Sequence, residues 1–409
     1  MTIIYNQPRY FSPLSPSSSS AAAYLAPYGV GLGHASRLLM VADHLKQGGI
    51  NVQFSSYGEA VNYVSLRGYR CATVSPVEFA WSMEGGFSVK DSIANIPVWF
   101  ANFSRQVNQE IRNILECNPD IVLSDSRLSP LVAARFLKVP SLVILNQIKL
   151  LLSPRLHDLA APRIFENVVG EFMGSMWAMA ERVLVPDLPP PYTLSAHNIW
   201  DIGSASRKIE YIGFASPRPQ INEEQVIRVS NRLGFDRIRP LVFVHVSGPT
   251  QTRPALLQVA VETAKRLDPK IQFVISAGNP RGKRDPRRIG RSSWYYEWCP
   301  VRDEIFAASD LLVLRGGHVA LSQAIQFGKP VVTVPIENHG EQLGNCAKIA
   351  ELGAGVTLHP KRLRPEQLAN AIEKVLVDSN YNKKTAELQR VAEKLNGIDN
   401  VVKIVRSYI

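Results

Sequence analysis

The stretch Asp310–Ala347 reads DLLVLRGGHVALSQAIQFGKPVVTVPIENHGEQLGNCA, and its punctuation decides the fold class. Leu311 to Leu314 is an unbroken apolar run, short enough to be a strand buried on both faces. It halts at Arg315-Gly316-Gly317. A helical pattern then runs from His318 to Phe327 and closes at Gly328, the residue type that caps a helix in left-handed conformation. Val331 to Val334 is a second buried strand, stopped by Pro335. Strand, glycine turn, helix, strand is a βαβ unit, so the sheet it belongs to is parallel. The helix after Gly316-Gly317 offers free backbone N–H groups and the positive end of its dipole, a seat for phosphate. Past the second strand lie Glu337, Asn338, His339, Glu341, Gln342 and Asn345. Such a cluster at a strand's carboxyl end suits a hydroxyl-rich ligand, because each hydroxyl takes a donor and an acceptor.

Working outward, three more loops have the same placement. Tyr28-Gly29-Val30-Gly31-Leu32-Gly33-His34 follows the strand Ala21–Pro27 and leads into a helix from Leu38 to Gln47. A dinucleotide fingerprint would need glycine where His34 stands, so that reading fails. Gly31 and Gly33 permit a sharp turn with room for a phosphate, and His34 is placed to meet a ligand at the helix start. Asp125 follows the strand Pro119–Leu123, in Ser124-Asp125-Ser126-Arg127, which opens the next helix. It is either a ligand-facing carboxylate or the N-cap of the next helix. Asn146-Gln147 follows the strand Leu142–Leu145. Ser247-Gly248-Pro249-Thr250 follows the strand Pro240–Val246. Ser247 and Thr250 bring hydroxyl donors, Gly248 permits close approach, and Pro249 removes one N–H.

At 409 residues the chain exceeds one ordinary core, so two domains are expected. The layout is a Ser/Pro-rich tail over 1–20, a first domain over 21–217, a second over 218–395, and a terminal segment 396–409. No run of 18 apolar residues marks a membrane span. Cys71, Cys117, Cys299 and Cys346 are scattered, which excludes a CxxC zinc site and a secreted disulfide framework and fits a reducing cytoplasm. The net charge of +11 calls for an anionic partner. No nucleic-acid-binding module is present. Arg281–Arg291 is the densest basic run, either a solvated face or a contact for pyrophosphate or lipid headgroups. Phe79–Phe87 with Trp81, the segment around Trp99, and Lys149–Arg155 mix apolar and cationic residues, as a core segment or a shallow membrane contact would.

These loops together resemble GT-B glycosyltransferases, specifically the MurG-like branch and its lipid-linked-oligosaccharide relatives, over roughly Tyr24 to Gly355. The resemblance implies two Rossmann-like α/β domains facing across a cleft, with a last helix that crosses back to the first domain. It implies an inverting, metal-independent transfer of a sugar, GlcNAc in this branch, from a UDP-sugar to a hydroxyl of a lipid-linked or other acceptor. That work would be done in the cytoplasm, peripherally on the inner face of an anionic membrane, with no separate cofactor. In that frame His34 is the general base and Asp125 its orienting partner. Gly31, Gly33, Asn146 and Gln147 lie toward the acceptor. Ser247, Gly248, Thr250, Arg315, Gly316 and Gly317 surround the donor diphosphate. Glu341, Gln342 and Asn345 hold the sugar. Cys299 and Val301 form the edge of the base pocket. The chain departs from the family in having Gln323 where a glutamate commonly grips the ribose; an amide has a single acceptor oxygen, and His318 is the neighbour that would compensate. Two other classes remain open at this level: a nucleotide-sugar epimerase of the same architecture, and a non-catalytic membrane adaptor.

Overall fold

The structure, a computed structural model, describes residues 21–30, 32–77, 96–148, 160–199, 203–216 and 220–409. The expected tail, Gly31, the aromatic loop at Phe79–Phe87 and the run Lys149–Arg155 lie outside the described residues. The first domain holds β1 (Ala22–Pro27), α1 (Leu32–Gln47), β2 (Asn51–Ser56), α2 (Glu59–Leu66), β3 (Cys71–Thr73), α3 (Ile96–Cys117), β4 (Ile121–Asp125), α4 (Ser129–Leu137), β5 (Ser141–Ile144), α5 (Ala160–Trp177), β6 (Arg182–Val185), α6 (Ala196–Ile199), α7 (Gly203–Ser206) and β7 (Ile209–Tyr211). The second holds α8 (Glu223–Leu233), β8 (Leu241–His245), α9 (Arg253–Leu267), β9 (Gln272–Ser276), β10 (Arg287–Arg288), β11 (Ser293–Tyr296), α10 (Arg302–Ala308), β12 (Leu311–Leu314), α11 (His318–Gln326), β13 (Val331–Thr333), α12 (Gly340–Glu351), β14 (Gly355–Thr357), α13 (Pro365–Val377), α14 (Ser379–Glu393) and α15 (Gly397–Arg406).

Each domain is one seven-stranded sheet, ordered β3-β2-β1-β4-β5-β6-β7 and β10-β11-β9-β8-β12-β13-β14. Every pairing is parallel except the β10–β11 edge. This is the two-sheet α/β architecture the sequence predicts. Both faces are buried, as a parallel sheet between helices requires. In β1, Ala23 and Leu25 pack with α1, while Tyr24 and Ala26 pack with Ile114 of α3 on the other face. In β8, Leu241 and Phe243 pack on the face of α10 and α11, while Val242 and Val244 pack against α9 and α13. Strand order reverses between β1 and β4 and again between β8 and β12. At these switch points the loops above the strands part, and a crevice opens outside their carboxyl ends. Tyr28–His34 and Asp125 stand at the first, and Ser247-Gly248 and Arg315-Gly316-Gly317 stand at the second.

Several elements differ from the sequence reading. Helix α1 starts at Leu32, six residues ahead of the expected Leu38, so Gly33 and His34 occupy its first turn. Burial of Ala35 and Arg37 offsets the poor helix propensity of the glycine. The first domain's sheet ends on β7, a short strand paired parallel to β6. Strands β7, β10 and β14 are sheet edges of two or three residues with no apolar run, and pairing with a neighbour creates them rather than local propensity. The basic run contains β10, where Arg287 stacks on Tyr295 at 4.4 Å and Arg288 on Trp294 at 5.3 Å.

Helix α15 packs on the first domain: Ile398, Val401, Val402, Ile404 and Val405 join the core formed by α1, β1 and β2. Asn400 Nδ2 donates to Ile212 O at 2.8 Å. Within the first domain an ion pair ties α3 to the strand ends. Glu110 is fully buried and accepts from Arg127 Nη2, from Tyr24 Oη at 2.5 Å and from Ser55 Oγ at 2.9 Å. Arg127 Nη1 also donates to Ser55 O at 2.8 Å. Truncating one partner leaves the other charge buried and uncompensated. Glu110→Ala is therefore expected to destabilise the first domain by about 3–5 kcal/mol, read as a lower midpoint in urea unfolding, with α3 the first element to lose amide protection.

Candidate active site

The first glycine turn puts His34 on the crevice side of α1, where its side chain is 26% exposed above a completely buried Asp125. His34 Nδ1–H donates to Asp125 Oδ1 at 2.7 Å. Arg37, one helical turn along, clamps the same carboxylate through Nε to Oδ2 at 2.7 Å and Nη2 to Oδ1 at 2.9 Å. Burial pushes the Asp125 carboxyl up, but Arg37, then His34 and the hydrogen bonds from both, outweigh it and hold it at about 2. The carboxylate is thus a fixed anion. It settles the imidazole tautomer with the proton on Nδ1, which leaves Nε2 as an acceptor. Tyr28 packs edge-on to the ring at 5.7 Å. Of the two readings of Asp125, the helix cap fails: α4 starts at Ser129, four residues further on, and its N-cap is Leu128.

Across the crevice, two backbone turns stand side by side. Gly248 has φ +103°, and a Cβ there would press on Ile336 Cδ1. Gly316 has φ +83°, and a Cβ there would fall 2.3 Å from Cys346 Sγ, so both turns require glycine. Gly317 is the N-cap of α11 with no side-chain cap, and the space around its Cβ position is open. The first N–H groups of α11 are therefore not covered by a capping side chain. Arg315 couples the turns: its buried guanidinium donates from Nη1 to Thr252 O at 2.8 Å, and its Nε has no partner. Burial lowers it to about 10, still cationic at neutral pH. Arg253 holds the second turn, donating to Gly248 O at 2.8 Å and to Gly278 O at 2.7 Å. Ser247 and Thr250 flank Gly248, with Thr250 opening a short 3-10 turn ahead of α9. The two halves meet here. A Cβ on Gly33 would lie 3.6 Å from Val319 Cγ2, so the start of α1 faces the start of α11.

The polar segment after β13 forms the first turn of α12. Glu341 Oε1 accepts from Asn146 Nδ2 of the first domain at 2.9 Å. Asn146, read as an acceptor-side residue, therefore contacts a donor-side carboxylate. Gln342 Oε1 is spent on Ile336 N at 2.8 Å, and buried Asn345 donates to Gly316 O at 3.1 Å, supporting the Gly316 turn from beneath. Asn198 of α6 donates to Asn345 Oδ1 at 2.9 Å and to Glu341 O at 3.3 Å. His318, placed at the ribose by the sequence reading, has its imidazole on Asp187 at 3.0 Å, and it is only 5% exposed. That aspartate also accepts from Leu188 N, Leu194 N and Ser195 N, so this is a domain-joining knot. Gln323 is largely buried in α11, Cys299 is buried, and Val301 is half-buried at the start of α10. Gln147 lies beside Asn146, and Gly31 is outside the described residues. Among the described residues, no cluster of three or more His, Cys, Asp or Glu side chains is placed to hold a metal ion.

Sequence reasoning missed Arg37, Asn198, Asp187 and Arg253. Arg37 was within reach of it, since it lies three residues from His34 on one helix. Asn198 and Asp187 act through contacts spanning more than a hundred residues of chain and left no local signal, and Arg253 ties Gly248 to Gly278, twenty-five residues beyond it.

Residues 242–401 match the Glycosyltransferase family 28 C-terminal domain, and residues 26–185 match Glycosyl transferase family 1. An uncharacterized glycosyltransferase of Methanosarcina mazei is 26% identical over 371 residues, covering 90% of this chain and 93% of the relative. The UDP-N-acetylglucosamine--N-acetylmuramyl-(pentapeptide) pyrophosphoryl-undecaprenol N-acetylglucosamine transferase of Lactobacillus johnsonii is 22% identical over 216 residues, 50% of this chain and 58% of the relative. Among solved structures, the glycotransferase of kitacinnamycin superposes with a TM-score of 0.68 at 16% identity, covering 96% of this chain and 100% of that one.

Because Asp125 is depressed in the fold, its stabilisation is complete above the unfolded carboxyl value of about 4 and is lost as pH falls through the folded value. Asp125→Asn is expected to lower stability at neutral pH and to show a smaller loss of stability than the wild type on acidification below about pH 4. Urea unfolding at several pH values checks this; parallel pH profiles for the two proteins would contradict it.

Proposed function

This chain is a glycosyltransferase of the GT-B type, and we propose that it moves GlcNAc from UDP-GlcNAc to a hydroxyl of a lipid-linked or membrane-associated acceptor, inverting the anomeric carbon without a bound metal. The observation that carries this reading is the His34–Asp125 pair at the mouth of one domain, set against the open start of α11 in the other. His34 Nε2 takes the proton from the acceptor hydroxyl as its oxygen bonds to the anomeric carbon. Asp125 stabilises the imidazolium that forms, and its fixed charge needs no rearrangement. The bond from the anomeric carbon to the diphosphate oxygen breaks on the opposite face, and UDP leaves with the electron pair. The negative charge on the diphosphate is met by N–H groups at Gly317 and His318, by the Ser247-Gly248 turn and by Arg315. Glu341 accepts a hydrogen bond from a sugar hydroxyl, with Asn146 holding its other lone pairs in place.

The nucleotide and sugar follow the Lactobacillus johnsonii relative, whose name specifies a UDP-N-acetylglucosamine donor and a pyrophosphoryl-undecaprenol acceptor. A membrane-associated acceptor agrees with the net charge of +11. It also agrees with Ile164, Val168 and Phe172, one turn apart along α5 and each more than 60% exposed. No helix among the described residues is long and apolar enough to cross a membrane.

Two measurements test the proposal. In calorimetry with EDTA present, UDP is expected to bind more tightly than GDP or dTDP, and UDP-GlcNAc turnover is expected to survive the chelator. Loss of turnover restored by manganese would remove the metal-independent step, and preference for another nucleotide would remove the donor. In steady-state kinetics, His34→Ala should cut kcat by a factor of about 10² to 10⁴ and spare UDP binding, while Glu341→Gln should chiefly raise the donor KM. A His34→Ala enzyme within about threefold of wild-type kcat, under about 1 kcal/mol of barrier, would exclude His34 as the base.

A further inference from the structure

His245, at the last position of β8, has no role in the mechanism above. It lies on the face of the sheet that carries α10 and α11, since Leu241 and Phe243 of the same strand point that way. Its ring packs on Phe243 at 5.6 Å and on Phe306 at 6.0 Å. Nδ1 is buried and has no hydrogen-bond partner. His245 as a residue is half-buried, and of its two ring nitrogens only Nδ1 is both buried and without a partner. Burial, then the charges of Arg302 and Arg253, push the imidazole down to about 3, so it is neutral at any working pH. A neutral imidazole has one N–H. An orphaned buried donor is rarer than an under-satisfied acceptor, so the proton belongs on Nε2, where a partner can reach it.

The position of the ring identifies that partner. On one side it meets Phe306 of α10, the helix that leaves Cys299-Pro300-Val301; on the other its backbone runs through Val246 into Ser247-Gly248. If the base lies along the first segment and the diphosphate along the second, the sugar of the nucleoside lies between them. We propose that His245 is a donor-binding residue that presents Nε2–H to a ribose hydroxyl oxygen of the nucleotide. The proposal rests on the UDP-donor reading above.

The test compares UDP with the analogue whose ribose lacks both hydroxyls, by calorimetry, on the wild type, His245→Phe and His245→Gln. Phenylalanine keeps the aromatic packing with Phe243 and Phe306 but has no N–H. Glutamine keeps an N–H near the same point. The wild type is expected to favour UDP; His245→Phe should reduce that preference by about three- to tenfold, the worth of one hydrogen bond, by weakening UDP alone, and His245→Gln should restore part of it. Thermal unfolding checks that both variants are folded. An unchanged preference in a folded His245→Phe, or an equal weakening of both ligands, would overturn the assignment and leave the donor reading intact. A wild type that binds UDP and the analogue equally would overturn the assignment too, and a wild type that binds neither would overturn the donor reading with it.

Discussion

A buried carboxylate clamped by an arginine and a histidine organises the first domain of this molecule. Asp125 ends β4 at the point where the first sheet reverses its strand order, and there it is completely removed from water. An isolated carboxylate in that position would take up a proton. Arg37 prevents this by bidentate pairing, and His34 completes the shell. Both partners come from the first turns of α1, so the demand of one charge fixes where that helix begins and how it is rotated. The early start of α1, which the glycine and histidine content argues against, follows from that electrostatic demand.

The second domain builds its switch point by different means. Its positive potential there comes mainly from backbone: two turns that only glycine can make, ahead of α9 and α11, with Arg315 bridging them. Backbone dipoles carry no side-chain entropy and do not reorient, so this potential is fixed by the fold. Much of the chain's visible basicity is spent elsewhere. Arg287 and Arg288 stack on Tyr295 and Trp294 at the sheet edge, which makes part of the basic run a structural device.

The two halves are held in register by polar contacts of long sequence separation. His318 meets Asp187, Asn146 meets Glu341, Asn198 meets Asn345, and α15 returns to close the core over α1. The three hydrogen-bonded pairs join α11 and α12 of the second domain to the first. These hydrogen bonds act beside apolar contacts between the domains, where Leu188, Leu194 and Phe214 of the first pack into the core of the second and α15 packs into the core of the first.

Most of the fold was legible in the chain. The runs Leu311–Leu314 and Val331–Val334, with glycine turns ahead of helical periodicity, are local signals, and strands buried on both faces announce themselves by continuous apolar sequence. Edge strands such as Arg287–Arg288 and Ile209–Tyr211 carry no such signal, because a neighbour's hydrogen bonds make them. Of the site, the sequence determined which residue types stand at the strand ends: His34, Asp125, the two glycine turns and the polar cluster around Glu341. It did not determine their partners. That Asp125 is a fixed anion rather than a helix cap, that His318 belongs to Asp187, and that His245 packs on Phe306 were decided by tertiary structure alone. Charge pairing and burial depend on distances between residues tens to hundreds of positions apart, and a linear pattern does not contain those distances.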